Sequence, residues 1–304
     1  MTDTQLFAAG GAGGNADEEP SRVRIENPAP HVMRIVLDRA DARNAQDPRM
    51  LYQLNAAFDL AAQDDGVKVV ILAGEGPSFS AGHDLRAAFV VTSEDQRLAA
   101  WGDQPPVSCW GGFTQPGAEG WMAMEEELFL GLCWRWRNFP KPTIAATQGK
   151  VIAGGLMLAW VCDLIIAAED TTFSDPVVAF GLNGHEYFVH TWDLGARKAK
   201  ELLFTGGAIT AGEAKALGMV NQIVPSAQLQ EAALAMAMRI ARMPSIGLKL
   251  AKQSVNQSLD AQGQWTALQS AFSLHEVGHA HNRELHGMGV DPGGASRIRE
   301  LSAQ

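Results

Sequence analysis

KPTIAATQGKVIAGGLMLAWVCD, residues 141–163, is the stretch whose reading decides the fold. Thr143 to Ala146 predicts a short strand. Thr147-Gln148-Gly149 reads as a polar turn, and a short apolar link then leads to Gly154-Gly155. From there the apolar run Leu156 to Val161 predicts a buried helix. A strand feeding a glycine pair at a helix N-terminus sets backbone N–H groups, and the positive end of the helix dipole, beside open space. Glycine suits such a corner because a Cβ would keep a ligand away from the backbone. The corner can hold a developing oxyanion. It is equally suited to plain close packing of helix on strand.

Working outward, Val69 to Leu85, VVILAGEGPSFSAGHDL, repeats the design. An apolar strand, Val69 to Ala73, meets a glycine-rich turn, and Ala81-Gly82-His83-Asp84 then runs into a helix. Two donors from separate chain segments are what a two-pronged oxyanion hole requires.

These residues carry a family resemblance. FSAGHDL resembles the F-x-A-G-x-D-[LI] segment of the enoyl-CoA hydratase/isomerase, or crotonase, superfamily. KPTIAATQGKVIAGGLMLAWVCDLIIA is similar to its KP-x-IAA-x-x-G…GGG…L…CD-[IL] segment, and LLFTGGAITAGEAKALGMVNQIVP to its TG-x-x-[IL]-x-A-x-E-A segment with the following G-[LM]-V. The resemblance spans residues 22–285. It implies an α/β fold, a crotonase-like spiral of repeated ββα units over residues 21–225, followed by a C-terminal helical oligomerisation region over 226–304. It also implies a homotrimer or a dimer of trimers. In this family the two N–H donors are the x of A-G-x-D and the middle glycine of three. Carried over, they are His83 and Gly154, with Ala153 in place of the first glycine. His83 would then act through its backbone, and its imidazole would matter less.

The implied substrate is an acyl-CoA thioester, with coenzyme A as part of it and no tightly bound cofactor. Ala81, Asp84 and Leu85 fall on the coenzyme A side of the motif. DRADARNAQ, residues 38–46, resembles the family's N-R-P-x-x-x-N-A loop. Arg39 and Arg43 there are phosphate or adenine-side contacts, or else solvated surface arginines. GLKLAKQSVNQS resembles a late helix whose lysines lie towards coenzyme A. Lys249 and Lys252 are the candidates, with a solvated face as the other account.

Composition agrees with an enzyme of this kind. The 304 residues suffice for a large core, and 46% hydrophobic with 19% charged residues fits a globular protein. A net charge of −10 argues against a nucleic-acid partner, though a local basic patch can still take coenzyme A phosphates. Cys109, Cys133 and Cys162 are too scattered for a disulfide framework. No apolar run reaches spanning length and no signal peptide is visible, so the expected place is the cytoplasm, away from membranes.

Residues 1–20 read as a disordered tail. Arg22 to Glu26 and Val32 to Asp38 read as a hairpin, and Pro48 to Asp64 as a helix with proline in its first turn. The section from 86 to 140 is longer than the family's usual link, with a tryptophan-rich insertion around 87–135. It reads as a lid over the acyl pocket, or as a packing insertion or oligomer contact. Glu125, Glu126 and Glu127 on it read as a solvated charge run. Later segments predict helices over 195–204, 211–217, 227–242, 246–259 and 265–283, with a strand over 219–224. In the last of these, His275-Glu276-Val277-Gly278-His279 fits the zinc pattern H-E-x-x-H. Asn282 and Leu285 stand where the extended motif needs glycine and histidine, so the expectation is a histidine-rich helix surface and no metal.

Hydratases of this family use two glutamates, and the matching positions here hold Met157 and Val177. Neither can move a proton, and acid–base help is worth about two to four orders of magnitude in rate. Some family members with other reactions carry an acidic residue where this chain has His185, with Glu186 next to it. A histidine titrating near neutrality and held by that carboxylate would serve, with Asp175 as a further candidate. Hydration or isomerisation of an enoyl-CoA leads. Thioester hydrolysis, decarboxylation, C–C cleavage, or binding of acyl-CoA without turnover stand as alternatives.

Overall fold

The computed structural model describes residues 20–85, 106–108, 110–113 and 115–302. The expected N-terminal tail, the helix after Asp84 and Trp101 of the insertion therefore lie outside the described residues, apart from Pro20 and Leu85.

Strand β1 (Val23–Ala29) turns back antiparallel onto β2 (Val32–Leu37). Beyond β2 the sheet is parallel: β3 (Val69–Gly74), β4 (Thr143–Thr147), β6 (Leu164–Ala168) and β9 (Gln222–Val224), in that order. All of β3 is buried, which is why VVILAG reads as a continuous apolar run. The pleat sends alternate residues to two different cores. Val70, Leu72 and Ala145 join the main core with Leu54 and Phe58 of helix α1 (Pro48–Gln63). Val69, Ile71, Ile144 and Ile166 pack instead on helix α7 (Leu229–Ala241), where Ala233, Ala237 and Ala241 let the helix come close. Helix α1 starts where expected, since the Asp47 side chain accepts from Met50 N at 2.8 Å and Pro48 needs no partner for a hydrogen it lacks.

The insertion contributes α2 (Ala118–Glu125), a π-helical turn (Glu126–Gly131) and α3 (Leu132–Arg137). Trp121 and Trp136 are buried in the main core, and Trp134 meets Trp265 with ring centroids 4.1 Å apart. The glutamate run is not a solvated face. Glu125, the last residue of α2, and Glu127, in the π turn, are 1% and 0% exposed. Tyr52 Oη donates to Glu127 Oε1 at 2.8 Å, and Val107 N and Ser108 N donate to its two oxygens at 2.5 Å.

After β4 the apolar link is itself a strand, β5 (Lys150–Ile152), of a second sheet with β7 (Thr172–Ser174) and β8 (Ala208–Thr210). Helix α4 (Gly154–Trp160) starts immediately after it. Helix α5 (His190–Thr205) begins earlier than expected and breaks at Gly195, and α6 (Ala211–Ala216) carries a Thr210–Glu213 capping box. Two long helices, α8 (Ser245–Ala261) and α9 (Gln264–His286), follow, and α10 (Gly294–Ser302) adds an element the sequence reading lacked. Among the described residues no helix is long and apolar enough to cross a membrane.

Candidate active site

The two glycine corners meet. Ser80 and Ile152 are tied through Ile152 N donating to Ser80 O at 3.1 Å, and a Cβ on Gly155 would lie 2.4 Å from that same oxygen. Gln46 brackets the second segment, its N–H donating to Gly82 O and its carbonyl accepting from Asp84 N, each at 2.8 Å. His83 is thereby aimed across the N-terminus of α4. A Cβ on Gly154 would fall 2.7 Å from His83 Cε1, 2.8 Å from Nδ1 and 2.9 Å from Gln46 Oε1. Ala153 before it holds a positive φ of 46°, unusual without a glycine, and α4 has no side-chain cap.

The His83 imidazole is therefore part of the corner rather than a bystander to its backbone. Its Nε2 lies 3.2 Å from Glu186 Oε2, and its ring rests on Phe129 with centroids 4.0 Å apart. A carboxylate only accepts, so Nε2 carries the hydrogen and Nδ1, on the Gly154 side, is the basic nitrogen. Burial opposes charge on Glu186, but His83 beside it, His275 behind it and a backbone hydrogen bond together hold the carboxyl down at about 2. Glu186 was expected to orient His185. It faces His83 instead, and among the described residues neither ring nitrogen of His185 has a hydrogen-bond partner.

His185 occupies a separate buried layer, packed against Trp160 and His190 with centroids 5.3 and 4.5 Å away. Burial pushes its pKa down to about 3, against the pull of Asp175, so it is neutral over the range in which it was expected to titrate. Asp175 Oδ2 accepts from His185 N and His190 Nε2, each at 2.9 Å, while Oδ1 accepts from Val177 N at 3.2 Å. Burial disfavours the Asp175 charge, yet the two histidines and these bonds hold its carboxyl well below the usual carboxylate range. Asp175 thus pins the loop that carries His185 and Glu186.

Behind Glu186 lies a cluster missed in the sequence. Glu186 Oε1 is 3.7 Å from His275 Nε2, which is 3.6 Å from Glu125 Oε2, and Glu125 Oε1 is 2.8 Å from His279 Nε2. His275 and His279 are 1% and 2% exposed, so the histidine-rich surface expected there is a buried face, docked on the 181–184 loop and on α2. Burial pushes the Glu125 carboxyl up to about 7 and the half-buried Glu276 carboxyl, beside Glu125, up to about 9. Among the described residues, two sets bring possible metal-ligand atoms within 4.8 Å of one another: Glu125, His275, His279 and Asp175, His185, His190.

The coenzyme A candidates divide. Arg39 Nη1 donates to Asp84 Oδ2 at 2.6 Å and to Ala45 O at 3.0 Å, so the pair clamps the 38–46 loop to the second corner. The Lys252 side chain packs against Asp163 at 2.9 Å and donates to Lys141 O, which commits it to holding the start of β4 and α8 together. Arg43 and Leu85 are exposed, Ala81 and Lys249 half-buried. Met157 is buried in α4, and Val177 lies in a short 3-10 turn (Val177–Phe180).

The family model described as enoyl-CoA hydratase/isomerase matches residues 29–104 and 115–291. A Mycobacterium tuberculosis protein named "Putative enoyl-CoA hydratase EchA13" is 48% identical over 255 residues, 83% of this chain and 79% of its own length. A crystal structure named as a probable enoyl-CoA hydratase from Mycobacterium smegmatis is 43% identical, with a TM-score of 0.78 over 88% of this chain and 99% of that one. An enoyl-CoA hydratase/isomerase from Xanthobacter autotrophicus Py2 is 30% identical, with a TM-score of 0.75 over 93% and 98%.

Proposed function

The chain belongs to the enoyl-CoA hydratase/isomerase family, and from that premise we propose that it moves a proton on an enoyl-CoA through an enolate held at the corner between His83 and Gly154. The backbone N–H groups of these two residues take the thioester oxygen as it gains charge. The His83 imidazole, backed by Glu186, is the acid–base group. One observation carries this reading: His83 Nδ1 lies 2.8 Å from the place a Cβ of Gly154 would take, beside the N–H groups proposed to hold the oxyanion.

The chemistry needs only one such group. In an isomerisation, Nδ1 takes a proton from the carbon between thioester and double bond, electrons move to the thioester oxygen, and the same proton returns two carbons further on. In a hydration, Nδ1 takes a proton from water as its oxygen bonds the β-carbon, then gives that proton to the α-carbon. Glu186 steadies the imidazolium in both. Met157 and Val177 take no part, and His185 and Asp175 fix the loop that presents Glu186. Exposed Ile246, Leu250 and Val255 on α8, with Leu274, Val277 and Leu285 on α9, support a homotrimer or a dimer of trimers through the C-terminal helices.

The test is turnover of a panel of 2-enoyl- and 3-enoyl-CoA thioesters, read as loss or gain of the conjugated thioester absorbance. Wild type should turn over at least one of them. Tight binding of acyl-CoA with no turnover on any member would overturn the catalytic reading.

A further inference from the structure

We infer that Glu125, His275 and His279 form a binding site for a divalent cation of the zinc class, built between α2 and α9. The argument begins with the outer nitrogens. His275 Nδ1 lies 2.8 Å from Gly184 O, and His279 Nδ1 lies 2.5 Å from Gly289 O. A carbonyl only accepts, so both Nδ1 atoms carry hydrogens. In the neutral rings, Nε2 then presents a lone pair. Both Nε2 atoms point at one carboxylate, at 2.8 Å from Glu125 Oε1 for His279 and 3.6 Å from Oε2 for His275.

Two nitrogen lone pairs and a carboxylate facing each other out of water repel, unless a proton or a metal cation stands among them. Among the described residues neither Nε2 makes a hydrogen bond of good geometry, for all the closeness of Glu125, and Glu125, His275 and His279 are each at most 2% exposed. Metal-binding imidazoles are oriented in this way, by an Nδ1–H held on a carbonyl behind them. Two histidines four apart on one helix face, plus a carboxylate from another helix, make an N2O set suited to zinc or cobalt. Glu125 closes α2 where the π turn begins, a distortion that often marks such sites. The third ligand thus comes from far upstream, and its absence after His279 does not count against the site. Glu186 Oε1, 3.7 Å from His275 Nε2, stands near the remaining position. The inference does not depend on which reaction the enzyme performs.

Protons shared within the cluster are the competing account, and metal analysis separates the two. Tag-free full-length protein, produced with zinc supplied and then dialysed, should hold stoichiometric zinc by elemental analysis. Exchange with cobalt should give the visible bands of a low-coordinate nitrogen–oxygen site. His279→Ala and Glu125→Gln should each weaken zinc binding by more than ~100-fold, beyond the loss seen on removing outer partners. His281→Ala, exposed on the same helix, should bind as wild type does. If those ligand variants fail to fold, the wild type still decides: a chelator should lower its melting temperature and zinc should restore it. Only a trace of zinc in the loaded wild type, a melting temperature indifferent to zinc, or undiminished binding in folded His279→Ala would overturn the site.

Discussion

Replacing His83 with alanine tests the proposed chemistry most directly. The variant keeps the backbone N–H and removes the imidazole that lies between Gly154, Phe129 and Glu186. If that ring carries the proton, kcat should fall by ~10²–10⁴, or ~2.7–5.5 kcal/mol of transition-state stabilisation. Glu186→Gln keeps an acceptor oxygen facing Nε2 but loses the charge that steadies the imidazolium. Its cost is that of a charge-assisted bond, ~1.5–3 kcal/mol, so kcat should fall by about 10- to 150-fold. The order matters as much as the size: His83→Ala should be slower than Glu186→Gln, and affinity for a non-reactive acyl-CoA should barely change in either. His185→Ala is the internal contrast, since the ring is neutral and buried against Trp160 and His190. Initial rates on the best substrate of the panel, with acyl-CoA binding measured in parallel, give the answer. A His83→Ala enzyme running at the wild-type rate, beside a His185→Ala enzyme that binds but does not turn over, would refute the reasoning.

Gly154→Ala should lower kcat nearly as far as His83→Ala, because the new Cβ would stand 2.7–2.9 Å from His83 and Gln46 and push the imidazole off the corner. Ala153→Gly should raise the unfolding free energy by about 1 kcal/mol, since relief of a positive-φ strain of order 1–3 kcal/mol exceeds the added flexibility of the unfolded chain. A denaturant titration of the purified variant checks it. Asp175→Asn should cost ~3 kcal/mol of stability at neutral pH, because it removes a buried charge that His190 and two N–H groups hold. The folded carboxyl sits below its ordinary range, so that contribution is full above the range and lost as pH falls beneath it. The wild type and Asp175→Asn should therefore converge in acid unfolding curves.

How far the sequence speaks depends on whether a feature is local. The strand–glycine–helix corner at Gly154-Gly155 was legible because a Cβ there would meet Ser80 O or the His83 and Gln46 side chains, which glycine avoids. Helix α1 was legible from its stripe and its Asp47-Pro48 start. The pairing of His83 with Glu186 was not, because it joins residues 103 apart and no local period reports it. The carboxylates of the insertion were misread for a related reason. A run of three glutamates is usually solvated, but here Glu125 ends α2 on its buried face and Glu127 turns inward within the π turn that follows.

Helix α9 is different, because the phase of its polar residues is itself a local signal that they point inward. Its buried positions are Gln264, Leu268, Phe272, His275, His279 and Asn282, a single stripe at helical spacing. His275 and His279 fall in phase with Leu268 and Phe272, whereas His281 and His286 fall out of phase and are exposed. A polar ring in phase with a core stripe must find its partners inside the protein, since burying it unpaired is costly. The partners these rings meet come from other elements. They are the Gly184 and Gly289 carbonyls on one side of the rings and Glu125 on the other. Carbonyls that fix both hydrogens on the outer nitrogens leave the inner ones to face a carboxylate, and that geometry turns a motif first weighed as a surface pattern into a testable cation site.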